Sequence, residues 1–136
     1  MFLVMIAVGM LFNPMNALAY RLSDLYISQT LFYGGLLMAS NMIWAHEIVH
    51  YLSMGHFNAM FFIIGISLSG IVTILLREQI LVNDTQWLKR MISHHSTALT
   101  TSHKIYNNTS NPEIKKLAKE IIDTQEREIT EMKLLL

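Results

Sequence analysis

The chain contains no cysteine, which excludes a disulfide frame, a thiolate zinc site and a cysteine nucleophile. Any soft metal must be held by methionine and histidine, of which there are 10 and 6. Charge is also scarce and unevenly spread. Up to Leu76 only Arg21, Asp24 and Glu47 are charged, so 17 of the 20 Asp, Glu, Lys and Arg residues fall between Arg77 and Leu136. That asymmetry excludes a uniform soluble globule and points to a membrane-embedded N-terminal part followed by a short water-soluble part. The charged part has nine Lys and Arg against eight Asp and Glu. It has neither a basic stripe nor a nucleic-acid motif, so a nucleic-acid partner is not expected.

Of the 136 residues, 52% are hydrophobic, and they gather in three uncharged stretches. Residues 57–76 (FNAMFFIIGISLSGIVTILL) match the roughly 20 residues that a spanning helix requires. Residues 25–44 (LYISQTLFYGGLLMASNMIW) form a second stretch, which continues into the more polar AHEIVHYLSMGH at an expected membrane interface. Residues 1–20 form a third, interrupted by Asn13 and Pro14, where a proline kinks or ends a helix. This segment lacks the positive start of a secretory signal and reads as a spanning or half-spanning helix. The expectation is an all-α protein with two to three transmembrane helices in residues 1–78, followed by a soluble helical hairpin in residues 79–136.

In the hairpin, Asn83 or Asp84 is a candidate N-cap. Trp87, Leu88, Met91, Ile92, His95, Ala98, Leu99, Ser102, Ile105 and Tyr106 follow at three- and four-residue spacings. The run NNTSN breaks this helix. Asn111 then caps a second one with Pro112 at its first position, carrying the stripe Ile114, Leu117, Ala118, Ile121, Ile122, Gln125, Ile129 and Met132. A hairpin of about 50 residues is close to the size below which an isolated core is insufficient. It should need a partner, and a second copy could cover it as a four-helix bundle.

Met91, His94 and His95 project from one side of the first hairpin helix within about a turn. Folding the hairpin about Thr109–Ser110 sets Gln125 opposite His94, Glu128 opposite Met91, and Met132 opposite Trp87 and Leu88. Two imidazoles, one or two thioethers and a carboxylate converging between helices suit copper in either oxidation state. The competing reading makes His95 a hydrogen-bonded core residue and the methionines gap-fillers.

The segment WLKRMISHHSTALTTSHKIYNNTSNPEIKKLAKEIIDTQEREITEMK, residues 87–133, closely resembles the domain of unknown function 305 family. The match is carried by Met91, His94, His95 and Ala98, then Ala118, Ile121, Gln125, Glu128, Ile129 and Met132, over about a third of the chain. The resemblance implies a ferritin-like helical bundle, an extracytoplasmic location and a suspected role in copper binding or tolerance. Some members are similar in carrying membrane helices ahead of the hairpin. The chain has Thr100, Thr101 and Ser102 where many members have a further methionine, a departure from a Met-rich site.

A second constellation lies on the second apolar stretch. Met38, Met42, His46, His50 and Met54 follow one another every four residues, a ladder of soft ligands on one slowly drifting helix face with His56 just beyond. Intramembrane His and Glu point to function, and the expected ligands here are Met38, Met42, His46 and His50; the alternative is a packing face with interfacial histidines. The run His46-Glu47-Ile48-Val49-His50 also fits the H-E-x-x-H of zinc proteases. No clear third protein ligand follows in a helix context and three short spans leave little room for a cleft, so no enzymatic activity is expected. Gly35 with Ala39, and Gly65 with Ser69, are small-residue pairs that permit close helix approach.

The sequence therefore leads to a multi-pass membrane protein that is a homo-oligomer and binds copper, with an extracytoplasmic hairpin. The metal residues are His94, His95, Met91, Glu128, Met132 and Gln125, with His46, His50, Met42 and Met38 as a separate set. The alternative is a structural or assembly protein whose hairpin mediates oligomerisation without a metal.

Overall fold

A computed structural model describes residues 1–136, and every regular element in it is helical. The elements are α1 (Phe2–Leu11), α2 (Pro14–Ala17), a 3-10 turn (Leu22–Asp24), α3 (Gln29–Met54), α4 (Ala59–Arg77), α5 (Asp84–Asn108) and α6 (Pro112–Leu134). They sort into two compact units, one formed by Met1–Leu11 with Gln29–Leu81 and the other by Phe12–Ser28 with Val82–Leu136. The main division falls at 81/82, and residues 12–28 group with the hairpin rather than with the apolar helices.

In the first unit α3 packs against both α1 and α4. The approach is close because glycine faces the neighbouring helix at each contact. A Cβ on Gly35 would stand 2.8 Å from the carbonyl of Ile6 in α1, and one on Gly65 would stand 2.8 Å from the backbone nitrogen of Trp44 in α3. Both small residues thus serve packing within the chain. Three hydroxyls on these helices are satisfied one turn back: Ser40 donates to the carbonyl of Leu36, Ser69 to Gly65 and Thr73 to Ser69, a pattern that suits apolar surroundings.

The expected number of spans is corrected. Only α4, with 19 residues, is long and apolar enough to cross a membrane. Helix α1 has 10 residues, about half of what a span needs, because Asn13 caps the following Pro14 turn and stops it. Helix α3 has ample length at 26 residues. Its apolar part is diluted by Gln29, Thr30, Gly34, Gly35, Ser40 and Asn41, and its second half carries His46, Glu47 and His50.

In the second unit α5 and α6 form the expected antiparallel hairpin. The Asn83 side chain accepts from the Gln86 N–H, and that of Asn111 accepts from Glu113 and Ile114, so both helices begin at side chains that satisfy free backbone donors. Leu88, Ile92, Leu99, Ile122, Ile129 and Met132 form the core, with Met91, Tyr26 and Tyr106 packed against it. Tyr26 belongs to the segment Phe12–Ser28, which straps one face of the hairpin.

The strap is held by Asp24, which is 0% exposed. Its carboxylate accepts from Ser96 Oγ at 2.7 Å and from Lys133 Nζ at 2.5 Å, and its carbonyl accepts from Ser93 Oγ at 2.8 Å. Ser96 Oγ in turn accepts from the Tyr20 N–H at 2.9 Å, and Arg21 pairs with Glu126 at 2.7 Å. Removing one member of a buried ion pair typically costs about 3–5 kcal/mol because the other is left uncompensated. An exposed pair one helical turn apart contributes far less, because water screens it and both side chains must be ordered to form it. Lys133→Met is therefore expected to destabilise the hairpin unit several-fold more than Lys119→Met, which breaks the exposed pair with Asp123. Urea unfolding followed by Trp87 fluorescence in a Trp44→Phe background measures both, and equal midpoints would refute the role given to Asp24.

Candidate functional site

Helix α5 turns three different faces to its surroundings, and this sorts the residues singled out in the sequence. Leu88, Ile92 and Leu99 point into the core, Ser93, Ser96 and Thr97 meet the strap, and His94 is exposed. His95 falls on the core side and is buried. Its Nδ1 lies 2.8 Å from the carbonyl of Met91, one turn earlier. A carbonyl only accepts, so Nδ1 carries a proton, and Nε2 is the atom that faces out of the helix. Nε2 meets Glu128 Oε2 of α6 at 2.9 Å.

The structure thus brings His95 and Glu128 together, one turn away from the Met91–Glu128 pairing that hairpin symmetry suggests. A ring held by a backbone carbonyl at one nitrogen, with the other turned to a carboxylate, is the arrangement that orients histidine ligands in metal sites. Here a proton sits between the two donor atoms, so a cation and that proton compete for the same place. The Glu128 side chain is 40% exposed, which leaves the pair open to ions from solution.

His94 lies beside this pair, its ring centre 6.0 Å from that of His95 at a steep angle. Partial burial holds its pKa below the ordinary 6.5, with further lowering from the neighbouring His95 and Arg90. Gln125 lies three residues before Glu128, and its Oε1 is buried with no hydrogen-bond partner, an acceptor available to a cation or to water. Met132 sits in the apolar core and Met91 packs against it, so their thioethers contribute packing here. No three His, Asp or Glu side chains converge on one point at ligating distance. The candidate donor atoms that the structure brings together are two, Nε2 of His95 and Oε2 of Glu128, with the His94 ring beside them.

The second set, on α3, is divided. His46 and His50 stack with ring centres 5.8 Å apart, and His50 is 5.7 Å from His56. Met42 instead lines an open apolar groove with His46, Glu47, Met5 and Phe61, and Met38 packs close to Gly9 of α1. Glu47 is buried, and its Oε2 accepts from the Asn58 N–H at 3.1 Å, at the start of α4. In a zinc hydrolase the equivalent glutamate must reach a metal-bound water; here it anchors a helix terminus.

Asp24, Ser93 and Ser96 escaped the sequence reading. The one available signal was a lone acid in an otherwise apolar stretch. His103 was also unnoticed: its ring stacks on Tyr20 of the strap at 4.8 Å, while its Nε2 is buried without a partner.

Residues 74–136 match the domain of unknown function DUF305. Over 124 residues the chain is 38% identical to the uncharacterized protein L153 of Acanthamoeba polyphaga mimivirus, covering 91% of this chain and 81% of that one. No solved structure matches.

The lowered pKa of His94 fixes a sign. The native state disfavours the charged ring, so the unfolded chain takes up the proton first. This contribution to stability is intact above about pH 6.5 and declines as the pH falls from there toward the lowered native value. In an NMR titration of the imidazole Hε1 signals, His94 is expected to have its midpoint below that of an unstructured histidine, and His95→Gln to raise it. A midpoint at or above 6.5 would overturn the burial argument.

Proposed function

The chain belongs to the family of the domain of unknown function 305, and on that footing we propose that it is a membrane-anchored metal-binding protein without catalytic turnover, with copper as its ion. The observation that carries this reading is the His95–Glu128 contact, Nε2 to Oε2 at 2.9 Å with Nδ1 fixed on a backbone carbonyl. His94 supplies a second imidazole. Its lowered pKa favours the neutral ring, which has a lone pair to give. Imidazole suits both oxidation states of copper, whereas thioether helps chiefly with Cu(I), so the histidines are the leading ligands. Gln125 is auxiliary, and Met91 and Met132 join only if the core opens toward the ion.

Anchoring is assigned to α4, whose Ile63, Ile64, Ile66, Ile71 and Ile74 are exposed. A surface of that kind is unusual in water and ordinary in lipid. The hairpin is placed on the extracytoplasmic side, in keeping with the family resemblance. Self-association is part of the proposal. Trp87, Ile105, Ile114 and Leu117 remain exposed on the hairpin, and Ile121 is half-buried, while Ile122 is already committed to the core. A second copy would cover the exposed residues. A monomeric mass for the intact protein in mild detergent would refute this.

One observation favours the alternative, a structural or assembly protein. Both ring nitrogens of His95 are satisfied, as they would be in a polar layer that only fixes helix register. Copper titration of the full chain in detergent, against His94→Ala, His95→Ala, separates the two. The proposal expects loss of one copper equivalent, or at least a tenfold weakening, and weaker binding of the unmodified protein below about pH 6, where imidazole protonates. Unchanged stoichiometry and affinity in the variant would leave the pair as a register device.

A further inference from the structure

The turn that joins α3 to α4 gathers three of the chain's six histidines, and the hairpin reading uses none of them. His46 and His50 are one helical turn apart on α3. Gly55 then adopts φ 70°, a left-handed conformation that glycine takes without strain, and its N–H bonds the carbonyl of Tyr51 at 2.9 Å. This reversal brings His56 back beside the helix it has just left. The carbonyl of His56 meets Nδ1 of His50 at 3.1 Å, so that nitrogen carries its proton and Nε2 bears the lone pair.

We propose that His46, His50 and His56 form a site for a first-row divalent cation of the imidazole-preferring kind, distinct from the hairpin site and independent of it. The spacing is the first support. A metal–nitrogen bond of about 2.0–2.1 Å places the centres of two imidazoles that share one ion on the order of 5–6 Å apart. The observed separations are 5.8 and 5.7 Å. The second support is the bond from His50 to the chain at His56, which fixes a tautomer as in established metal sites.

The third support is charge. Glu47, held by the Asn58 N–H, has its other oxygen 3.6 Å from Nδ1 of His46, so a carboxylate lies beside the cluster where a cation would collect. The donor atoms do not meet at one point in the present rotamers. The His46 side chain is 65% exposed and His56 is exposed, so both rings have room to turn toward an ion. Met38 and Met42, which sequence spacing placed in the same ladder, lie outside this site.

The probe is Co²⁺ added to the full-length protein in mild detergent, with the hairpin silenced by His94→Ala and His95→Ala. One equivalent is expected to bind with the visible spectrum of an imidazole-ligated ion, and Zn²⁺ should displace it. Adding His50→Ala or His56→Ala should weaken binding at least tenfold, and Met38→Leu should leave it unchanged. Circular dichroism checks that each variant keeps its helices. Absence of cobalt binding in the silenced protein, or binding indifferent to His56→Ala, would overturn the site. The hairpin proposal stands or falls separately, on the copper equivalent lost with His94 and His95.

Discussion

The organisation of the hairpin unit depends on one buried carboxylate. Asp24 is fully enclosed, and every group around it belongs to an element that must be in place for it to be tolerated: Ser93 and Ser96 on α5, and Lys133 near the end of α6. An acid without those partners would carry the cost of an unpaired buried charge. Its presence therefore selects the arrangement in which strap and both helices are docked together. Ser96 extends the effect by accepting from the backbone of Tyr20, so the strap's own amide is satisfied by the same hydroxyl that serves Asp24.

The position of the histidines follows from that contact. A helix has a limited circumference, and on α5 the strap occupies the side of Ser93, Ser96 and Thr97 while the core occupies that of Leu88, Ile92 and Leu99. His95 falls at the edge of the core side and His94 on the side left over. Adjacent residues of one helix thus meet different environments: one ring is fixed at both nitrogens and the other is exposed, with its protonation disfavoured. The His-His pair thus combines one imidazole held at both nitrogens with one that is exposed.

Much of the hairpin was legible because its signals are local. Asn83, and Asn111 followed by Pro112, mark helix starts through a side chain that reaches only two or three residues onward, and the structure places the caps there. The inter-helix register was close as well, with Met132 and Leu88 in one core. Glu128 pairs one turn off, with His95 rather than Met91; helical side chains lean toward the N-terminus of their own helix and long ones reach past their Cα position. The strap was illegible because what gives Asp24 its meaning lies at positions 93, 96 and 133, and no local pattern encodes such a contact. The span count failed for a different reason. Absence of charge made α3 resemble a membrane helix, yet uncharged polar and small residues such as Gln29, Thr30, Gly34, Gly35, Ser40 and Asn41 lower apolarity as well.

The strap also bears on how the hairpin can associate. Two helices alone leave apolar surface on both sides of their common plane, and such a surface permits open-ended stacking as readily as closure. Here one side is occupied by residues 12–28, joined to α5 through Asp24, Ser93 and Ser96. The remaining apolar positions, Trp87 and Ile105 on α5 with Ile114 and Leu117 on α6, are outside the strap's hydrogen bonds. In the self-association proposed above, these exposed positions are what the strap leaves for a second copy to cover. The strap therefore supplies part of the burial that a hairpin this small lacks.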